Sequence, residues 1–186
     1  MNALWLKIPL EKNVLSELVT GQWVNLTGSL FTARDAALGR INELLFEGKT
    51  PPVDLRGQLV YFAGPTPPAP DQVVGAVGPT TSQRMETYLP SLIQAGVNAV
   101  MGKGPLSAGA VSELMRFGVI YLAAAGGAGA FYGSKVKGAT VVAYEELGPE
   151  AIHCLRVENF PAVVALDQKG DDLFKKERGK YGKKGE

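Results

Sequence analysis

The chain is poor in the residues from which thiol, metal and redox centres are built. One cysteine, Cys154, and one histidine, His153, stand in 186 residues. That count excludes an intramolecular disulfide framework, and it excludes a Cys/His zinc site or a multi-cysteine iron–sulfur site made by this chain alone. A dominant sign of charge is missing too. The 19 Lys and Arg against 18 Asp and Glu leave a formal net charge of +1, so no overall field recommends nucleic acid or an anionic membrane as partner. No stretch reaches the ~20 uninterrupted apolar residues of a membrane span. The opening MNALWLKIPLEKN lacks a basic segment followed by a long apolar run and meets Pro9 early, which argues against a signal peptide. The expectation is a cytoplasmic protein with no nucleic-acid or membrane partner.

What is present is an ordinary globular composition, 46% hydrophobic and 20% charged, sufficient to bury a core. Residues 1–168 read as a single domain. The remaining KGDDLFKKERGKYGKKGE, residues 169–186, has seven Lys and Arg against four Asp and Glu and few apolar side chains. It is expected to be a basic, flexible, solvated tail; the alternative is a basic docking arm.

The apolar pattern changes period repeatedly along the domain. ALWLKIPL, QWVNLTGSLFTA (with a bend at Gly28), QLVYFAG, VNAVMG and VIYLAAA read as strands, and so do the late ATVVAYEEL and PAVVALD. Between them, NVLSELVTG, RDAALGRINELLFEG, SQRMETYLPSLIQAG and AGAVSELMRFG read as helices or short helical linkers, Pro90 kinking or shortening the third. PTPPAPDQ, with its four prolines, is a stiff surface loop. Strands alternating with helices, and glycines at the strand ends, define an α/β fold with a mixed, partly parallel sheet.

Two glycine-rich stretches invite a nucleotide reading and fail it. GGAGAFYG follows a strand, but Tyr132 occupies the third fingerprint position, where a small residue is needed; tight packing or an anion-accommodating turn is the better account. GKGPLS has Gly104, not Ser or Thr, after Lys103, so it is no phosphate loop. His153 and Cys154 are neighbours in an apolar segment, and neighbours in a strand point to opposite faces, so they do not make a catalytic pair.

A set of cations at strand ends remains. Arg34 follows the second strand at a helix start, Arg84 lies in the first turn after GPTT, and Lys103 follows VNAVMG. In open α/β sheets, ligands collect outside the carboxyl ends of strands, and helix starts add unpaired N–H groups. The three suit a small anion with more than one carboxylate, the arginines supplying bidentate geometry. The plainer readings are that Arg34 pairs with Asp35 or Glu47, that Lys103 is a solvated loop lysine, and that Thr80, at capping-box spacing from Gln83, is a helix cap.

LFTARDAAL, VVGAVGPTTSQRMETYL, VMGKGPLS, YLAAAGGAGA and YEELGPEAIHCLRVENFPAVVALDQKG, in that order, resemble the β chain of the class I fumarase and L(+)-tartrate dehydratase family, over roughly residues 10 to 172. The resemblance implies a swivelling β/β/α domain that works beside an α domain or subunit carrying a [4Fe–4S] cluster on three cysteines. It implies reversible hydration of a dicarboxylate, fumarate to malate first, with L(+)-tartrate dehydration as the alternative and a non-catalytic dicarboxylate-binding module as the reading from another class. With one cysteine this chain is expected to be the β subunit, inactive alone, in an α₂β₂ assembly. Carried over by position, Arg34 and Arg84 clamp substrate carboxylates, Lys103 adds a cationic contact, and Thr80 takes part in proton transfer. Leu38 stands where the family commonly has a histidine, so either that histidine is structural or this member differs in substrate or rate.

Overall fold

The computed structural model describes residues 3–181. Its seven strands and six α-helices follow the alternation of the sequence. β1 (Leu4–Ile8) is joined through α1 (Lys12–Glu17) to β2 (Trp23–Thr32), and α2 (Asp35–Phe46) leads to β3 (Leu59–Tyr61). A 3₁₀ segment (Ser82–Tyr88) and α3 (Leu89–Gln94) precede β4 (Ala99–Gly102), and α4 (Ala108–Arg116) precedes β5 (Ile120–Ala123). Then come α5 (Gly129–Ser134), β6 (Val136–Ala143), β7 (Ile152–Leu166) and α6 (Leu173–Tyr181).

β1 through β5 are parallel neighbours in that order, and β7 runs antiparallel to β5, β6 and β2. Because the fifteen-residue β7 pairs with β5 near its end and with β2 along most of its length, the order β2-β3-β4-β5-β7 returns to β2 and closes a ring. Alternation along each strand then sorts side chains into two cores. Leu59 and Tyr61, Ala99 and Met101, Ile120 and Leu122 point inward with Leu26, Leu30 and Phe160. Val60, Phe62, Val100 and Tyr121 point outward, where residues of α2, α3, α4 and the 3₁₀ segment cover them.

Several local expectations differ in detail. Pro90 falls in the first turn of α3, where its missing N–H costs nothing, so the expected helix divides there into a 3₁₀ segment and a short α-helix. The bend expected at Gly28 is a register shift between Leu26 and Gly28. ATVVAYEEL does not remain a strand: Tyr144 takes a left-handed backbone (φ 59°), and Glu145–Glu150 coils into 3₁₀ turns. Part of the segment expected as a flexible tail is helix α6, with Leu173 and Phe174 packed on the outer core. The Asp167 carboxylate holds its launching turn by accepting amide hydrogens from Thr20 (2.9 Å), Lys169 (2.9 Å) and Asp171 (3.1 Å). The last part of that tail, residues 182–186, lies outside the described residues.

Candidate active site

All four candidate residues fall on one rim of the ring, at or just beyond the carboxyl ends of its parallel strands. Arg34 follows β2 and Lys103 follows β4, while Thr80 is fastened to the end of β3 between them: its amide donates to the Phe62 carbonyl at 2.6 Å. β2 and β4 are two ladder steps apart, about 10 Å at the backbone. The Lys103 amide donates to the Thr80 carbonyl (3.2 Å) and the Ser82 amide to the Lys103 carbonyl (2.9 Å), so Thr80–Ser82 runs as a short extra strand beside Lys103.

A buried polar relay underpins this stretch. Tyr121 donates its phenol hydrogen to the Gly104 carbonyl (2.7 Å), so the Ser82 hydroxyl, 2.8 Å away, donates to Tyr121. Both side chains are buried, and burial pushes the Tyr121 phenol well above the ordinary tyrosine range, so it keeps its donor hydrogen. Gly102 admits the relay: a Cβ there would lie 2.1 Å from the Ser82 oxygen. On the other side of the loop, the Glu86 carboxylate accepts from the Ser107 amide (2.7 Å) and hydroxyl (2.6 Å). Thr81, not Thr80, takes the cap position of the 3₁₀ segment, and it makes no side-chain cap bond.

The two arginines meet on one carboxylate. Arg34 Nε lies 3.2 Å from one Asp35 oxygen and Arg84 Nη2 lies 2.6 Å from the other. Glu150 joins them: one oxygen stands 3.5 Å from Arg34 Nε, and the other accepts the Ala36 amide at 3.0 Å. The start of α2, where helix N–H groups and its dipole favour an anion, therefore already holds the carboxylate of Glu150. Arg84 remains open, with 56% of its side chain exposed. Lys103 lies apart from the pair, in a cleft of about 530 Å³ lined also by Trp23, Thr81, Ala123, Tyr132 and Phe174.

The Arg34–Asp35 pair is one of the plainer readings, yet Asp35 is also the atom bridge to Arg84. Nothing local could have pointed to Glu150, 114 residues from its amide partner, or to Tyr121, which reaches Ser82 only because β5 lies beside β4. Leu38 is 1% exposed within the outer core, so its position on α2 faces packing and not the rim. Two glycines of GGAGAFYG serve close packing: a Cβ would sit 2.0 Å from the Gly75 carbonyl oxygen at Gly133 and 3.2 Å from the Ala76 side chain at Gly129. Tyr132 stacks on Phe160 (4.8 Å between ring centres) and accepts the Ala125 amide at 2.8 Å. His153 is half-buried with Nδ1 3.0 Å from the Ala151 carbonyl, and burial depresses its pKa. Among the described residues no three His, Cys, Asp or Glu side chains gather as a metal site.

Fold and rim together define a class: a mixed α/β ring that presents arginine, lysine and threonine side chains along the carboxyl edge of its parallel strands. Residues 2–177 match the family described as Fumarase C-terminus, and the chain belongs to that family. It is 35% identical over 176 residues to fumarate hydratase 2 of Leishmania major, covering 92% of this chain and 31% of that one. It is 35% identical over 162 residues to the anaerobic class I fumarate hydratase of Escherichia coli K12, covering 86% and 30%. It is 36% identical over 171 residues to the putative L(+)-tartrate dehydratase subunit beta of Methanocaldococcus jannaschii, covering 89% and 88%. The chain thus spans about a third of the first two relatives and most of the third.

Proposed function

We propose that this chain is the β subunit of an iron–sulfur hydro-lyase that reversibly hydrates a dicarboxylate, fumarate to malate, with the cluster held by a separate α subunit. The observation that carries the reading is the convergence of Arg34 and Arg84 on one carboxylate. Two guanidinium groups already sharing an acid are spaced to receive carboxylates of a small diacid. The described residues of this chain do not fit a [4Fe–4S] cluster, so the Lewis-acid chemistry it would supply belongs to the partner. This chain's share is to bind the diacid, orient it and move a proton.

In that share, Arg34 and Arg84 bind substrate carboxylates, and Lys103 adds positive charge from the next strand end. In hydration, hydroxide adds to one olefinic carbon and a proton to the other; the Thr80 hydroxyl sits at the second carbon and moves that proton. In hydration Thr80 gives up that proton and is reprotonated by a partner carboxyl group; in dehydration it takes the proton and, being a weak base, passes its own to the same group as carboxylate. The relay through Ser82 and Tyr121 and the bonds to Phe62 and Lys103 hold the Thr80 backbone in place.

L(+)-Tartrate is the second substrate to consider, because the relative that this chain matches over 88% of its length is a tartrate dehydratase subunit beta by name. The reading predicts a neighbouring gene whose product carries the three cysteines, and the test is an anaerobic hydration assay on the chain alone and on the chain co-expressed with that product. Activity with fumarate only in the pair supports the reading; faster turnover of tartrate replaces the substrate. Dicarboxylate binding by the chain alone, with no stable pair, establishes a binding module instead. In the active pair, Arg84→Ala is expected to lower kcat/KM by about 10- to 150-fold, the value of a charge-assisted hydrogen bond of ~1.5–3 kcal/mol. Full activity in that variant would refute the site.

A further inference from the structure

The chain has two tryptophans, and both are among its most exposed apolar side chains: Trp5 is 68% and Trp23 48% exposed. They occupy one face. β1 sets Trp5 opposite Asn25, and β7 sets Pro161 opposite Asn25 and Val163 opposite Trp23. The intervening Val24 and Leu26 are fully buried in the inner core, so the alternate residues Trp23 and Asn25 point outward, with their ladder partners Trp5, Pro161 and Val163. This apolar face continues into the Lys103 cleft, because Trp23 and Val163 line that cleft with Thr81 and Lys103. Its border is basic. α6, whose Phe174 reaches the same cleft, carries Lys175, Lys176, Arg178 and Lys180 against Glu177 alone. Exposed tryptophan beside a basic border is the composition of an interface centre and not of an ordinary solvated sheet face.

The occupant follows from the two-chain reading proposed above. Single-chain relatives are about three times as long as the region they share with this chain, whereas the subunit-length relative is matched over nearly all of its length. On that reading the counterpart of the remaining two thirds is a separate chain, which meets this one at the rim. We infer that the Trp5–Trp23–Pro161–Val163 face is the docking surface for that separate chain, which meets it with an apolar patch bordered by acidic side chains. The inference rests on the two-chain reading of the site and adds to it where the second chain sits.

Two tryptophans make two indole N–H signals, so the intact chain, labelled with ¹⁵N at tryptophan, reports directly on the face. It is titrated with the unlabelled three-cysteine product of the neighbouring gene. Both indole signals are expected to shift on binding. Trp5→Asp and Trp23→Asp are each expected to weaken the pair by about 10- to 30-fold. Phe46→Asp, at a 92% exposed position at the end of α2, is expected to leave it unchanged. Circular dichroism checks that each variant is folded, and the indole shifts stand without any variant. A pair that forms with neither indole moving, or that forms equally well with both tryptophans replaced, overturns the surface and leaves the site reading intact. Indole shifts that grow with the chain's own concentration overturn it in favour of a second copy. A wild-type chain that never pairs overturns the two-chain reading, and the surface falls with it.

Discussion

The Ser82–Tyr121–Gly104 relay is the most direct point at which to break the rim without touching a side chain proposed to bind substrate. Tyr121→Phe keeps the ring and its packing in the outer core and removes one oxygen. That oxygen accepts from Ser82 at 2.8 Å and donates to the Gly104 carbonyl at 2.7 Å, in a place where Ser82 is 0% and Tyr121 1% exposed. Two hydrogen bonds of about 1 kcal/mol net each disappear, and the Ser82 hydroxyl is left buried without an acceptor, so the loss is ~2–3 kcal/mol. In a domain of this size that lowers Tm by roughly 4–12 °C. Ser82→Ala removes only one bond and strands no donor, because Tyr121 still donates to Gly104; it costs ~1 kcal/mol. The double variant no longer strands a serine hydroxyl, so its loss is smaller than the sum of the two singles by ~1 kcal/mol. Urea unfolding of the four proteins measures all three quantities. A Tyr121→Phe chain within about 0.5 kcal/mol of wild type, or a strictly additive double variant, would refute the relay.

Three further outcomes are expected. Asp35→Asn releases both arginines from their shared acid; these pairs are partly exposed, so unfolding free energy changes by less than about 1 kcal/mol, while KM of the paired enzyme falls several-fold because the diacid no longer displaces a resident carboxylate, read by urea titration and steady-state kinetics. Alkaline stability depends on buried phenols: Tyr61, Tyr121 and Tyr132 are raised, chiefly by burial, so above about pH 10 the unfolded chain loses protons that the folded chain keeps, and their contribution to stability, flat below that pH, falls by up to ~1.4 kcal/mol per unit for each. Melts from about pH 8 to about pH 11 check this, and Tyr121→Phe must make the fall shallower. Burial works to raise the Asp167 carboxyl, but the amides of Thr20, Asp171 and Lys169 outweigh it and hold the group below the usual range; Asp167→Asn is expected to cost ~2–3 kcal/mol at neutral pH, an advantage that wild type itself loses as pH falls below about 4, both followed by urea titration.

Local pattern was enough to find the parallel strands and their helices. Leu59, Val60 and Tyr61 form a continuous apolar run because both faces of β3 are buried, and the switch at Asp35 to helical spacing places Ala37, Leu38 and Ile41 on one covered face. The rim was legible for the same reason, since parallel strands put Arg34 and Lys103 on one edge once they are recognised as strand ends. Ring closure was not. It depends on β7 exchanging partners along its length, β6 and then β5 on one side and β2 along most of the other, and no periodicity encodes a partner. α6 was missed because its sequence is mostly charged; two residues, Leu173 and Phe174, and the Asp167 turn hold it. The carboxylates were missed as a group because Glu150 reaches the start of α2 only in three dimensions.

Those carboxylates bear on why the chain would need a second one. Arg34 and Arg84 bring two positive charges together on a rim that also carries Lys103, and Asp35 and Glu150 offset the pair. A diacid entering this rim exchanges partners with resident carboxylates; it does not meet bare cations. With Arg84 56% exposed, that exchange takes place in a high dielectric, where a contact between unit charges is worth about 1 kcal/mol. The same contact in a site closed to water is worth several times more. The isolated chain is therefore expected to hold dicarboxylates weakly, and closure by a partner over the tryptophan face and the Lys103 cleft is what would make the arginines discriminating. Isothermal titration of malate into the chain alone and into the pair measures the difference. Equal affinity in the two would show that the rim is complete without a partner.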